Sequence, residues 1–360
     1  MWTFRKRREP NVKELRGHIF SARSSKLFGF GILLSAVCFL PSVLGFATGW
    51  LYNVREVKPN VFVWVSDDVL DLEGDPQFDR AGTAGFVVTN EGVVVIGATN
   101  TPFHARELLY EIRHRTELAV RYVINTNSDG EQTLGDEAFT ELQATVLCST
   151  KALEGIRQYR QMLIRRLDDD DGKLRSRMRG FHVAIPTQTF SNDMTLRLGG
   201  QEIKLSTLVK NGSSDDSIVY LPAAKVLFLG ELFQNSYFPR IESRNLRDWI
   251  AALKQVEAWD VDVYVPGHGE PGGKKELAEF RQFLEWLEKE VETRTKEGKS
   301  LSQVKREVDS QVENYKWHAP ELIPEEVEAV YKQLGKTPPK GAALQPSAQA
   351  PLAEERAIRP

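Results

Sequence analysis

Short stretches of alternating or fully apolar residues are interleaved along the chain with stretches in which apolar residues recur every three or four positions, and this order predicts an α/β fold. Val61 to Ser66, β-branched and aromatic, reads as a strand, and an acidic loop with Gly and Pro follows from Asp67 to Gly82. Gly85 to Thr89 and Val93 to Ile96 are apolar runs joined by Asn90-Glu91-Gly92, a hairpin signal. Pro102 opens a helix with an apolar stripe of Leu108, Leu109 and Ile112, and Val120 to Ile124 follows as a short strand. A second helix is expected over Gly135 to Leu142, a strand over Ala144 to Leu147, and a basic helix over Lys151 to Leu167. The acidic run Asp168 to Asp171 ends it as a solvated loop.

The period then changes. Thr195 to Leu198, Glu202 to Val209, Ser217 to Leu221 and Lys225 to Leu229 read as strands, with Gly199-Gly200 and Pro222-Ala223-Ala224 as turns. A helix over Leu246 to Val256 and a strand over Val261 to Val265 close the pattern. Two β-rich blocks, each followed by helices, imply two stacked sheets with helices outside them. Lys274 to Glu297 carries Leu277, Phe280, Leu284, Leu287 and Val291 at helical spacing, opening a helical extension over 274–336. Its apolar stripe is expected to pack on its own domain, with a homodimer seam or a protein-docking face as the alternative. The tail over 337–360, rich in Pro, Ala and Gln, is expected to be disordered.

Charge changes the picture at the amino terminus. No residue from Phe28 to Tyr52 is charged, and eight basic residues precede that run. A run of about 20 apolar residues can span a bilayer, and the basic flank favours the cytoplasmic side. The expectation is a cytoplasmic leader over 1–27, a transmembrane helix over 28–52 and an extracytoplasmic domain, periplasmic or extracellular, from 54 onward. A cleaved signal peptide ending near Gly45-Phe46-Ala47 is the rival reading, but leader and apolar run are both long for one. The net charge of -3 excludes a nucleic-acid footprint. With Cys38 in the apolar run, Cys148 is alone in the remaining chain and is expected to be a buried, inert thiol.

Four loops carry polar residues directly after apolar strands: Asn125 to Gln132, Asn211 to Asp216, Gly230-Glu231-Leu232, and Pro266-Gly267-His268-Gly269. His18, His104, His114 and His318 lie elsewhere and read as surface or packing residues, as does His182.

With this strand and loop order, the hairpin over Gly85 to Gly97, Asn125-Thr126, the Gly-acid-Leu step at Gly230 and Pro-Gly-His-Gly at Pro266, the chain resembles the metallo-β-lactamase superfamily from about Val54 to Gly273. The resemblance implies a four-layer αβ/βα sandwich of two packed mixed β-sheets with outer helices over 54–273. It also implies metal-assisted hydrolysis, in which two zinc ions activate water and polarise the substrate.

The family's first metal loop reads His-x-His-x-Asp-His, and here Asn127, Asp129, Glu131 and Gln132 stand at its four ligand positions. The next histidine falls near Gly212, the bridging aspartate becomes Glu231, and the aspartate ending the second hairpin strand becomes Gly97; His268 alone is unchanged. One metal position thus keeps Asn127, Asp129 and Gly212, too few donors for zinc. The other keeps Glu131, Gln132, Glu231 and His268, an oxygen-rich set suited to a harder ion. The resemblance therefore implies metal ligands among Asp129, Glu131, Gln132, Glu231 and His268, with Asp129, Glu131 and His268 as the reacting groups. The cofactor is one divalent ion such as manganese, iron or zinc, or none, and the partner a small-molecule substrate. Two functions stand: a membrane-anchored hydrolase of ester, amide, thioester or phosphoester bonds, or an inactive pseudoenzyme serving as a binding or assembly module.

Overall fold

The structure, a computed structural model, describes residues 52–66, 82–169, 183–208, 215–241 and 244–335. The expected membrane helix lies outside these residues except for Tyr52, which opens a strand; no described helix is long and apolar enough to cross a membrane. The expected tail and most of the Asn211 to Asp216 loop also fall outside.

Seven strands form the first sheet in sequence order: β1 (Tyr52–Lys58), β2 (Val61–Ser66), β3 (Ala84–Val88), β4 (Val93–Ile96), β5 (Val120–Ile124), β6 (Thr145–Ser149) and β7 (Gln188–Phe190). Pairing is antiparallel as far as β4 and parallel beyond it. The second sheet comprises β8 (Asp193–Leu198), β9 (Gln201–Ser206), β10 (Ile218–Leu221), β11 (Val226–Gln234) and β12 (Val263–His268), in the order β12-β11-β10-β9-β8. Only β11 and β12 run parallel there.

Side-chain alternation explains the layering, because successive strand residues point to opposite faces. Val61, Val63 and Val65 meet Val219, Phe228 and Val265 between the sheets, whereas Phe62 and Trp64 face the other way. Against that outer face pack α1 (Pro102–Arg113), capped by the Thr101 hydroxyl, and part of α3 (Asp136–Thr140). Leu227 and Leu229 of β11 face outward on the second sheet, under α5 (Leu246–Glu257) and α6 (Lys274–Lys296). Both sheets are therefore covered on both faces, which is the expected helix–sheet–sheet–helix order.

Several elements depart from the pattern-based expectation. The helix expected from Gly135 is preceded by a separate turn, α2 (Gly130–Thr133), with Asp129 at its N-cap position, so Glu131 and Gln132 sit on helical backbone. Strand β11 continues to Gln234, past the expected end at Leu229, because β12 supplies a parallel ladder beside it; β12 likewise runs on to His268. Helix α4 (Thr150–Asp169) runs into the acidic stretch read as loop. Strands β1 and β7 escaped prediction: β1 mixes charged and apolar residues at a sheet edge, and β7 is three residues long.

The extension shares the core of the second sheet. Helices α7 (Leu301–Val312) and α8 (Ile323–Gln333) bury Val304, Val308, Val312, Ile323, Val327 and Val330 in one cluster with Trp249, Tyr264 and Phe280. Phe283 of α6 packs its ring against Phe238, Trp286, Tyr315 and Trp317. Phe283→Ala is expected to cost about 3–5 kcal/mol in urea unfolding. A loss within about 0.5 kcal/mol, as for a surface substitution, would contradict a shared core.

Candidate functional site

The site forms where β5, β11 and β12 end side by side. After β5, the Asn127 Oδ1 accepts the Asp129 backbone N–H at 3.0 Å, a local turn that starts α2 and brings Glu131 round. In the second sheet the ladder pairs Phe228 with Val265, Gly230 with Pro266 and Gln234 with His268, so β11 spends more residues than β12 over the same stretch. The extra residues bulge. Gly230 takes φ +51, and a Cβ there would lie 2.8 Å from the Thr126 hydroxyl, so only glycine lets the bulge seat against the first sheet. Glu231 is the next residue, buried at 3% exposure.

Three groups converge. The His268 Nε2 lies 3.4 Å from Glu131 Oε2 and 3.4 Å from Glu231 Oε1. Their ligand atoms all fall within 4.8 Å of one another, the one such group among the described residues. Gln234 donates to Glu231 Oε2 at 3.0 Å, fixing that carboxylate, while the buried Oε1 has no hydrogen-bond donor. The His268 ring stands against Tyr237 at 5.7 Å between centroids.

Burial raises the Glu231 pKa first, with Glu131 and Asp216 adding to it, against the opposing effects of His268 and Arg244. Asp129 is exposed at the rim, beside Asn127 and the two glutamates. Lost hydration, and then the charges of Glu131 and Glu231, push it up to about 8. Both causes act in the same direction.

Asp129 stands outside the three-donor group. Its Oδ2 accepts from Asn127 Nδ2 at 3.2 Å, and the same amide reaches Asp216 Oδ1 at 3.5 Å. Gln132 is buried with its carboxamide against Gly82 and Gly97: a Cβ on Gly97, which has φ +76, would sit 2.5 Å from Gln132 Oε1. The glutamine thus fills the space a side chain at position 97 would need, and the two departures from the family pattern compensate each other. Asp216 is paired through both oxygens with Arg244, Nε to Oδ2 at 2.9 Å and Nη2 to Oδ1 at 3.0 Å.

Donor chemistry decides what each position can hold. Metal–ligand bonds of about 2.1 Å set tetrahedral donors about 3.4 Å apart. Glu131, Glu231 and His268 match that spacing around His268, and the unbonded Glu231 Oε1 is a free donor, so these residues fit one divalent ion. Asn127 has both amide atoms committed to Asp129 and Asp216, and Gly212 brings no side-chain donor, so the other position does not fit a second ion.

Sequence reasoning named Glu131, Glu231 and His268 but missed Gln234, Tyr237 and Arg244. None of these carries a motif: Gln234 and Tyr237 follow Glu231 at the end of β11, and Arg244 comes from the approach to α5. His318, read as a surface residue, is exposed but stacks on Tyr237 at 4.5 Å. His104 and His114 behave as expected, while His18 and His182 lie outside the described residues. His104 is buried beside Asn100 and lowered to about 4 by burial, and His114 is exposed on Tyr110. Cys148 is fully buried, its thiol pushed up to about 12 by burial.

Known proteins are similar to this chain in sequence and fold. A linear primary-alkylsulfatase from Pseudomonas sp. (strain ATCC 19151) is 30% identical over 100 residues, covering 26% of this chain and 19% of that relative's length. The structure of the inverting sec-alkylsulfatase Pisa1 from Pseudomonas sp. superimposes with a TM-score of 0.57 at 19% identity, over 82% of this chain and 52% of that one. A metallo-β-lactamase from Pontibacter korlensis gives 0.50 at 21% identity, over 65% of this chain and 99% of that one. At these identities the structural matches establish the fold alone. The family model described as the metallo-beta-lactamase superfamily matches residues 78–268, more than half of the 360-residue chain. On that match and on the fold, this chain belongs to the metallo-β-lactamase superfamily.

Proposed function

We propose that the chain is a hydrolase with a single-ion site in which Glu131, Glu231 and His268 hold one divalent ion such as manganese, iron or zinc. The observation that carries this reading is the spacing of those three donors, with the buried Glu231 Oε1 left without a hydrogen-bond donor. When bound, such an ion acts as a Lewis acid on the substrate's carbonyl, phosphoryl or sulfuryl oxygen. The protein's own contribution is orientation and proton transfer. Gln234 holds one oxygen of Glu231 so that the other faces His268, and Tyr237 limits rotation of the imidazole.

Asp129 is the acid–base group of this reading. It stands at the rim, beside the three-donor group, where a carboxyl can pass a proton to a leaving group. The substrate classes to test are esters, thioesters, amides and phosphoesters. The alkylsulfatase and β-lactamase relatives add sulfate esters and cyclic amides. The reading also includes attachment to a membrane, with the catalytic domain outside the cytoplasm, supported by the uncharged run that begins at Phe28 and the basic residues before it.

One observation favours a second reading, a pseudoenzyme acting as a binding or assembly module: Asn127, at a position where the family has a metal ligand, is committed to internal contacts with Asp129 and Asp216. Turnover of any ester in the panel that Glu131→Gln abolishes would exclude it.

Elemental analysis of the purified full chain in detergent, after exposure to manganese, iron and zinc, is expected to find one ion per chain. Glu131→Gln combined with His268→Ala should abolish it, and substoichiometric metal in the unaltered protein would sink the proposal. Gln234→Leu is expected to weaken metal affinity about 10–100-fold, as for other groups that orient a ligand. An unchanged affinity would remove Gln234 from the site.

Asp129 gives a pH signature. Its folded pKa of about 8 lies above the ordinary value of about 3.9, so between those pH values the folded state keeps a proton the unfolded state has lost. Stability of the metal-free protein must therefore fall as pH rises through that window. Thermal melts in chelator should show the unaltered chain losing stability relative to Asp129→Asn from acid to mildly alkaline pH. Parallel curves would contradict the raised pKa.

A further inference from the structure

We infer that Arg244 is the site's resident cation, its guanidinium standing in for the second metal ion of the two-ion family arrangement. The inference deepens the single-ion reading and rests on it for the identity of the first ion. Asp129, Glu131, Asp216 and Glu231 stand close enough for their charges to act on one another, and His268 lies against two of them. Packed carboxylates with reduced hydration repel one another unless protonated or matched by a cation.

Arg244 supplies that cation from inside the protein. Its side chain is 7% exposed and that of Asp216 2%, and the two meet in a bidentate pair. Asp216 Oδ1 also receives the Asn127 amide, which in turn donates to Asp129. Of the residues at the first two ligand positions of the family loop, Asn127 is therefore one hydrogen bond, and Asp129 two, from the carboxylate that the guanidinium holds. Asp216, Glu231 and Asp129 each favour the charged guanidinium, and Arg244 in turn favours the charged forms of Asp129 and Glu231.

The guanidinium is locked in place as a surface arginine is not. It lies 5.2 Å over the Trp249 ring, and Nη1 donates to the Arg240 carbonyl at 3.2 Å. Gln333 of α8 donates to the Arg244 carbonyl at 2.7 Å and accepts from the Leu246 N–H at 3.0 Å. A second ion would have to displace this group and take Asp216 from it. Arg244 is thus a positioning residue, setting the number of ions the site admits and holding Asp216 and Asn127 against Asp129.

The test counts ions. Full chains in detergent, unaltered and carrying Arg244→Ala, Arg244→Lys or Arg244→Ala with Asp216→Asn, are dialysed against excess manganese and the bound metal is measured per chain. Arg244→Ala is expected to bind one ion more than the unaltered protein. Arg244→Lys, which keeps the charge, should bind no extra ion, and removal of Asp216 should abolish the gain. Two ions in the unaltered protein, or no gain in a folded Arg244→Ala, would overturn the inference. Where circular dichroism finds Arg244→Ala unfolded, Arg244→Gln, which keeps a donor toward Asp216, is read in the same way. If the unaltered chain binds no manganese, the single-ion reading fails, while a gain of one ion in Arg244→Ala still supports the resident cation.

Discussion

Carboxyl groups withdrawn from water at the meeting of two sheets must be neutralised where they stand, and much of this molecule is arranged around that constraint. Glu231 is buried because Gly230 lets β11 bulge against Thr126. Once there, it needs a donor for one oxygen, which Gln234 provides, while its other oxygen faces the His268 imidazole at 3.4 Å. Asp216 is answered by Arg244. Asp129, at the rim, has no such partner and is pushed toward its protonated form. The family's two metal ions would supply this positive charge; here a guanidinium supplies part of it and one metal position retains donors.

The carboxy-terminal helices belong to this arrangement. Between β11 and α5 the chain crosses the site, and the extension holds it at three points. His318 exchanges backbone hydrogen bonds with Ser236 and Phe238, Glu326 accepts from the Ile241 N–H, and Gln333 braces Arg244 and Leu246. Ser236 and Ala319 take left-handed backbone conformations beside the first of these contacts, a strained geometry that persists only where the surroundings enforce it. With its apolar residues in the core of the second sheet, the extension serves as a brace for the wall that carries Tyr237 and Arg244.

Local pattern made the layers legible. Valines at alternate positions of β2, the Asn90-Glu91-Gly92 turn and the stripe on α1 each report a nearest-neighbour requirement that a short window contains. Glu131, Glu231 and His268 were legible for a different reason: a resemblance fixed their loops. Arg244 and Gln234 were not, because an arginine before a helix and a glutamine in a strand have no local signature. Arg244 meets Asp216 only in the closed fold, and Gln234 reaches Glu231 three residues back only because β11 bulges there. The exchange between Gly97 and Gln132 was half legible: the missing aspartate showed in the chain, but the side chain that replaced its volume came from another loop.

Anomalous diffraction at the manganese edge, from crystals of the full chain grown with excess manganese, would test the one-ion, one-guanidinium site most directly. A single peak about 2.0–2.3 Å from Glu131, Glu231 and His268, with Arg244 still paired to Asp216, is the outcome expected. A pair of peaks, or one peak lodged between Asn127, Asp129 and Asp216 with Arg244 displaced, would contradict it.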